Sequence, residues 1–232
     1  MDTSALSSAS LTVSTEGSVT VVRMHHGEDS RFHPLLLDAL DGVLTSIEDG
    51  DEAGALVLTG TGKFFSNGLD LEYLGSHPDD AEATLARVHG LFARVLALPV
   101  PTVAAVNGHA FAAGAMLMLA CDVAIMRADR GYVCLPESDL GLPFTPGMNA
   151  LLTARLSPPV AHEAMVTGRR YPAAEAKAAG IVSEVAAEAD VLGDAVARAA
   201  SLAGKPRHAL GQIKRDLYRS ALDVLTGSTV GS

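Results

Sequence analysis

A buried β-strand, a turn and an apolar helix are predicted in succession in residues 102–121, TVAAVNGHAFAAGAMLMLAC. Residues 102–106 are a short apolar run rich in β-branched side chains, which is typical of a strand buried on both faces. Asn107-Gly108 is a turn signal, and residues 113–121 are apolar enough for a buried helix. Similar strands are predicted nearby in residues 55–59 and 123–127. Strands alternating with helices favour an α/β fold with parallel strands and right-handed crossovers.

The segments on either side of this region extend the pattern. Apolar spacing predicts a hairpin from residues 11–15 and 19–24, followed by helices in residues 34–48 and 79–98. From Pro158 onward mainly helices are predicted, in residues 158–168, 173–179, 190–203 and 206–225, with only residues 181–185 extended. We therefore predict a disordered N-terminus (1–10), an α/β core (11–157) and a helical C-terminal subdomain (158–232).

Composition limits the classes of partner. The chain has 232 residues, 48% of them hydrophobic, and a formal net charge of −10. A surplus of negative charge argues against nucleic acid or an anionic membrane as the main partner. Cys121 and Cys134 lie in apolar stretches without a disulfide pattern, and the N-terminus resembles neither a signal peptide nor an anchor. We expect a cytoplasmic protein with two buried, inert cysteines.

Several familiar catalytic and binding motifs are absent from the sequence. Residues 59–63, TGTGK, follow a predicted strand, but Val57 and Phe64 replace the glycine and the hydroxyl residue that a P-loop requires. Phe65 replaces the third glycine of a dinucleotide fingerprint. No serine lies in a Gly-x-Ser-x-Gly frame, and the histidines lack a zinc-binding spacing. We expect no metal site.

Two glycine turns and one carboxylate remain as candidates. Residues 64–71, FFSNGLDL, follow a strand, and residues 107–114, NGHAFAAG, open a helix. Backbone amides at two such turns can form an oxyanion hole, although both segments also fit ordinary tight turns. Glu137 has apolar neighbours, and burial would raise its pKa and make it a stronger base, although a solvated loop glutamate fits as well.

Taken together, these motifs resemble the crotonase superfamily in order and spacing. The resemblance runs from about residue 11 to about residue 214, and its motifs are Phe65-Ser66-Asn67-Gly68-Leu69-Asp70-Leu71, Asn107-Gly108-His109-Ala110, Ala113-Gly114, Cys121-Asp122 and Pro136-Glu137. Within the superfamily, residues 31–34, 63–71, 107–109 and 129–131 resemble those of plant-type Δ3,Δ2-enoyl-CoA isomerases. The chain ends Val230-Gly231-Ser232, which is not a peroxisomal targeting tripeptide.

The resemblance implies a fold and a site. The fold is a spiral of repeated ββα units with a helical C-terminal subdomain that forms homotrimers or dimers of trimers. The substrate is an acyl-CoA thioester whose carbonyl oxygen is bound by the amides of Leu69 and Ala113, and no separate cofactor is needed. Further substrate-binding residues are Ser66, placed near the nucleotide end, with Asn67, Gly68, Asp70, Leu71, Gly114 and Met116. The sequence does not identify the residues that hold the CoA phosphates: Arg31, Lys63 and Lys214 are candidates, and a solvated surface role fits each of them at least as well.

One departure from the superfamily's pattern selects among its reactions. Hydratases of the superfamily use two glutamates, but Met116 occupies the first position and only Glu137 remains. A double-bond shift needs only one movable proton, so we predict an enoyl-CoA isomerase in fatty acid metabolism with Glu137 as its catalytic base. Asp139, Asp70 and Asp122 are predicted to be structural. The alternatives are hydration, another crotonase reaction such as thioester hydrolysis, or a non-catalytic acyl-CoA-binding homologue.

Overall fold

The computed structural model describes residues 5–50 and 54–227. Its strands are β1 (Leu11–Glu16), β2 (Val19–Met24), β3 (Ala55–Thr59), β4 (Phe64–Ser66), β5 (Thr102–Val106), β6 (His109–Phe111), β7 (Val123–Arg127), β8 (Val133–Cys134) and β9 (Glu184–Ala186). Its helices are α1 (Pro34–Glu48), α2 (Leu71–Ser76), α3 (Ala81–Ala97), α4 (Ala113–Ala120), α5 (Glu137–Leu140), α6 (Pro146–Arg155), α7 (Pro158–Thr167), α8 (Ala173–Ala178), α9 (Val191–Leu202), α10 (Arg207–Leu217) and α11 (Arg219–Leu225). A 3-10 turn, Pro78–Asp80, precedes α3.

The strands form two sheets. The larger has six strands in the order β1-β2-β3-β5-β7-β9, and the smaller has three in the order β4-β6-β8. Apart from the antiparallel β1–β2 hairpin, neighbouring strands in both sheets run parallel. From β3 to β8, successive strands alternate between the two sheets, so β3-β4, β5-β6 and β7-β8 begin three ββα units. The apolar pattern predicted an α/β fold with parallel strands, and the repeated ββα units are those that the resemblance implied.

Both faces of the larger sheet are covered. Leu56, Leu58 and Val106 point into the main core, which also contains α1, α3, α4 and α6. The opposite face packs against α9 through Val191, Ala195, Ala199 and Ala203, which recur at helical spacing. All residues of β3 and β5 are therefore buried, as expected for central parallel strands.

The terminal regions pack more closely against the core than the predicted division suggests. Within the predicted disordered N-terminus, residues 5–10 are described, and Ser10 is buried with Oγ 2.9 Å from His26 Nδ1; residues 1–4 lie outside the described residues. Within the predicted C-terminal subdomain, β9 pairs with β7 and α9 covers the larger sheet. The helix predicted over residues 206–225 is two helices that meet at Tyr218. None of the described helices is long and apolar enough to cross a membrane.

Candidate active site

The first glycine turn connects β4 to α2. Ser66 is fully buried, and its Oγ donates to the carbonyl oxygen of Ser30 (2.7 Å) and accepts from the amide of Gly68 (3.2 Å). Gly68 has φ +86°, a conformation that side chains with a Cβ rarely adopt. The hydrogen bonds of the described residues include no acceptor for the next amide, that of Leu69. This turn therefore leaves a backbone donor available.

The second turn leads from β6 into α4. Ala112 has φ 49° and ψ −127°, which is unusual for a residue other than glycine. Ala113 is the first residue of α4, and the first amides of a helix have no acceptor within that helix. Among the described backbone hydrogen bonds none uses the Ala113 amide as donor. A second donor is thus available where the helix begins.

Glycines allow the two turns to touch. A Cβ added at Gly114 would lie 2.3 Å from the carbonyl oxygen of Ser66, which is closer than atoms can approach without displacement. A Cβ added at Gly68 would lie 3.0 Å from the amide nitrogen of Ala113. Leu69 and Ala113, the residues predicted to form an oxyanion hole, both line one cavity next to this contact.

The segment Asn107-Gly108-His109 fixes the relative position of the turns. Asn107 Oδ1 accepts from the amide of Gly60 (2.9 Å), and its Nδ2 donates to the carbonyl oxygen of Phe64 (3.1 Å). The amide of His109 donates to the carbonyl oxygen of Lys63 (2.9 Å). This motif therefore acts structurally, by tying β6 to the strand that carries the first turn.

The cavity beside these turns has a volume of about 620 Å³. Most of its lining is apolar, and Glu137 supplies the only carboxylate among the lining residues that the structure describes. The lining side chains that carry a polar or ionisable group are those of Arg31, Asn67, Cys134, Glu137, Thr145 and Arg170.

Glu137 reaches the cavity from the first residue of the short helix α5, just after β8 and Pro136. Its side chain is buried, with the residue only 7% exposed, and Oε2 has no hydrogen-bond partner within the described part of the chain. Burial raises the pKa of Glu137 to about 7, because an apolar environment disfavours the ionised carboxylate. Such a group exchanges a proton readily near neutral pH.

The predicted site residues divide into two groups. Asn67, Leu69, Leu71, Ala113 and Glu137 line the cavity. The others lie outside the lining and have structural contacts: Ser66 and Gly114 hold the turns together, Gly68 contacts Ala113, Asp70 caps α2 by accepting from the Tyr73 amide, and Met116 is fully buried inside α4. The side chains of Ser66, Asp70 and Met116 are therefore not placed to contact a substrate in the cavity.

The three predicted phosphate-binding cations have different surroundings. Lys214 is only 4% exposed, and its Nζ donates to Asp122 Oδ2 (2.6 Å) and to the Val100 carbonyl oxygen (3.0 Å), so it is neither free to bind a phosphate nor a solvated surface residue. Arg31 lines the cavity but forms an ion pair with Asp29 at 2.8 Å. Lys63 is exposed and lies outside the cavity lining.

Sequence reasoning missed three of the polar or ionisable residues that line the cavity. Thr145 caps α6, and its Oγ1 lies 2.8 Å from His89 Nε2. Cys134 is buried as expected, yet it also lines the cavity. Arg170 follows α7 and carried no motif signal. Thr145-Pro146, by contrast, is a recognisable helix start that was available in the sequence.

Metal-binding side chains do not gather at this cavity. Within residues 5–50 and 54–227, no group of three or more His, Cys, Asp or Glu side chains is placed to hold a metal ion. The arrangement instead combines a buried acid, two backbone donors and an apolar cavity. Chemically, it can remove and return a proton next to a carbonyl group whose oxygen gains negative charge.

Comparison with known proteins identifies the family. The sequence model of the enoyl-CoA hydratase/isomerase family matches residues 14–229. Enoyl-CoA delta isomerase 3 of Arabidopsis thaliana is 36% identical over 184 residues, covering 75% of this chain and 76% of that protein. A protein named probable enoyl-CoA hydratase from Mycobacterium tuberculosis is 30% identical over 187 residues, covering 80% of this chain and 71% of that protein.

Solved structures agree with this result. A structure described as that of an enoyl-CoA isomerase from Mycobacterium tuberculosis superimposes with a TM-score of 0.86 at 27% sequence identity, covering 94% of each chain. A second structure of the same protein, described there as a probable enoyl-CoA hydratase, superimposes with a TM-score of 0.87 at 28% sequence identity, covering 94% of this chain and 92% of that chain. The resemblance to the crotonase superfamily is thereby confirmed, as is the implied fold of a single chain, an α/β core followed by C-terminal helices. The chain belongs to the enoyl-CoA hydratase/isomerase family.

Proposed function

We propose that this protein is an enoyl-CoA isomerase that moves a double bond from the 3- to the 2-position of an acyl-CoA thioester. The observation that carries the proposal is that Glu137 is the only carboxylate among the described residues lining the cavity. Met116 is fully buried in α4, at the position where hydratases of the superfamily carry their other glutamate. A mechanism that needs one proton carrier fits this cavity better than one that needs two.

The reaction uses Glu137 twice. Its carboxylate takes a proton from C2, and the electron pair of that C–H bond becomes delocalised over the thioester carbonyl and the C3–C4 double bond. The amides of Leu69 and Ala113 donate to the resulting oxyanion, and each such donor is worth about 3 kcal/mol in other enzymes. The protonated Glu137 then returns the proton at C4, which leaves the double bond between C2 and C3.

Burial supports both halves of this cycle. A carboxyl group with a pKa of about 7 is a stronger base than a solvated glutamate and is still able to give the proton back. The apolar lining excludes water, which would otherwise add to the conjugated product or protonate the intermediate. No separate cofactor takes part, because coenzyme A belongs to the substrate. Homotrimers and a cytoplasmic location remain part of the proposal.

Replacing the proposed base tests the function. We expect the purified protein to convert 3-hexenoyl-CoA into the conjugated 2-enoyl thioester, and Glu137→Gln to lower kcat by about a thousandfold, because glutamine cannot carry the proton. Ultraviolet absorbance of the product measures the reaction. Asp139→Asn is the matched control, because Asp139 lies in the same short helix, is exposed and lies outside the cavity lining.

The same assay separates the alternatives. Incubation with 2-hexenoyl-CoA must give no 3-hydroxyacyl product, since its formation would identify a hydratase. Full activity of Glu137→Gln would refute the assigned base. Binding of acyl-CoA without turnover by the wild-type protein would instead support a non-catalytic homologue.

A further inference from the structure

Arg170 is a cation at the edge of the candidate active site. It follows Gly168-Arg169 at the end of α7, is exposed on one side and lines the cavity on the other. Its guanidinium lies 5.9 Å from the ring centroid of Phe111, another lining residue. Phe111 ends β6 just before Ala112 and Ala113. Arg170 therefore stands at the opening of the cavity, close to the turn that supplies a backbone donor.

Unlike its neighbours, Arg170 is not neutralised. Arg169 pairs with Glu163 and Glu175, each at 2.7 Å, and the cavity's other arginine, Arg31, pairs with Asp29. In the described part of the chain, no carboxylate lies within ion-pair distance of Arg170. The guanidinium of Arg170 is therefore a cation without a carboxylate partner in the described part of the chain, at the exposed edge of a largely apolar cavity.

The ionisable groups near Arg170 do not explain why its positive charge lies beside the cavity. Burial raises the pKa of Glu137, its own backbone hydrogen bond opposes the rise, and Arg170 has no part in the shift. Burial also raises the pKa of Cys134, with Arg170 acting in the opposite direction. Burial lowers the pKa of His109, and the charges of Arg130 and Arg170 lower it further. Asp139 lies near Gly168 but forms no ion pair with Arg170.

We propose that Arg170 binds an anionic group of the acyl-CoA substrate. A guanidinium forms paired hydrogen bonds with the oxygens of a phosphate or a carboxylate, and apolar surroundings strengthen such a contact. The inference rests on the proposed function, which supplies the thioester. Two parts of such a substrate carry this chemistry: a phosphate of coenzyme A, and a carboxylate at the far end of the acyl chain.

Calorimetric titration with unreactive thioesters tests the proposal. The ligands are hexanoyl-CoA, adipoyl-CoA, whose acyl chain ends in a carboxylate, and hexanoyl-pantetheine, which has no phosphate. We expect Arg170→Gln to raise the Kd of at least one CoA thioester about tenfold, and Arg170→Lys to restore part of the affinity. Arg169→Gln is the matched control, and we expect it to change each Kd by less than about twofold.

The pattern of losses identifies the anion. If Arg170 binds a phosphate, Arg170→Gln weakens both CoA thioesters equally and leaves hexanoyl-pantetheine unchanged. If it binds an acyl carboxylate, adipoyl-CoA alone is weakened. Unchanged affinities, equal weakening of all three ligands, or no binding of either CoA thioester to the wild-type protein would overturn the proposal. Because these ligands cannot isomerise, a failure of the proposed reaction would be seen separately, in the assay with 3-hexenoyl-CoA.

Discussion

At the scale of single residues, Glu137 is buried, and its Oε2 has no hydrogen-bond partner among the residues that the structure describes. Its apolar surroundings hold the pKa at about 7, compared with an ordinary value of 4.5. Between these two values the unfolded chain loses this proton while the folded protein keeps it, so stability falls as the pH rises. Above pH 7 the full cost of the ionised, buried carboxylate is present. The base therefore lowers the stability of the fold that positions it.

This cost can be measured by comparing Glu137→Gln with the wild-type protein. Below pH 4.5 both carry a neutral side chain, and we expect similar free energies of unfolding. From there to pH 7 the variant should become relatively more stable, by up to about 3 kcal/mol, and the difference should then remain constant. Urea unfolding at a series of pH values measures it. A difference that does not vary with pH would contradict the raised pKa of Glu137.

At the scale of secondary structure, the active site depends on two turns that touch. We expect Gly114→Ala to destabilise the protein by about 2 to 3 kcal/mol, because the added methyl group would overlap the carbonyl oxygen of Ser66. Activity should fall further, because the displaced turns separate the two amide donors. Gly90→Ala is the control: Gly90 lies in α3 with open space around it, and alanine there should stabilise by up to about 1 kcal/mol. Unchanged urea unfolding and kcat for Gly114→Ala would refute the close contact.

Secondary structure also shows what the sequence could and could not predict. The hairpin, β3, β5, β7 and α1 were predicted because each has a continuous or periodic apolar pattern. The strands of the smaller sheet have only two or three residues, too few for any alternation to appear. Glu137 was found through a motif, whereas Arg170 reaches the cavity by tertiary packing alone. Buried strands and helices with an apolar pattern can therefore be predicted from this sequence. Contacts between residues that the crossovers bring together cannot.

At the scale of the whole molecule, the C-terminal segment is joined to the core by more than apolar packing. The α9 helix covers the larger sheet, and α10 places Lys214 against Asp122, which precedes β7. Asp122 Oδ2 also accepts from the amide of Thr102, the first residue of β5 (2.8 Å). On the outer surface of α10, Ile213 and Leu217 are exposed and one helical turn apart, which suits the predicted homotrimer. One ion pair thus connects a late helix to two central strands.

Lys214 consequently has a structural role, which differs from both roles that the sequence left open for it, phosphate binding and a solvated surface position. Burial lowers its pKa and Asp122 opposes that change, so the ammonium group depends on this partner. We expect Lys214→Met to destabilise the protein by about 3 kcal/mol, because it leaves Asp122 without its counter-ion. Lys205→Met, at an exposed lysine, should change stability by less than about 0.5 kcal/mol.

Adding Asp122→Asn to Lys214→Met should recover part of the loss, since the unpaired charge is then removed. Urea unfolding measures each variant, and the KM for 3-enoyl-CoA should remain unchanged throughout. A raised KM without loss of stability would restore Lys214 as a phosphate ligand.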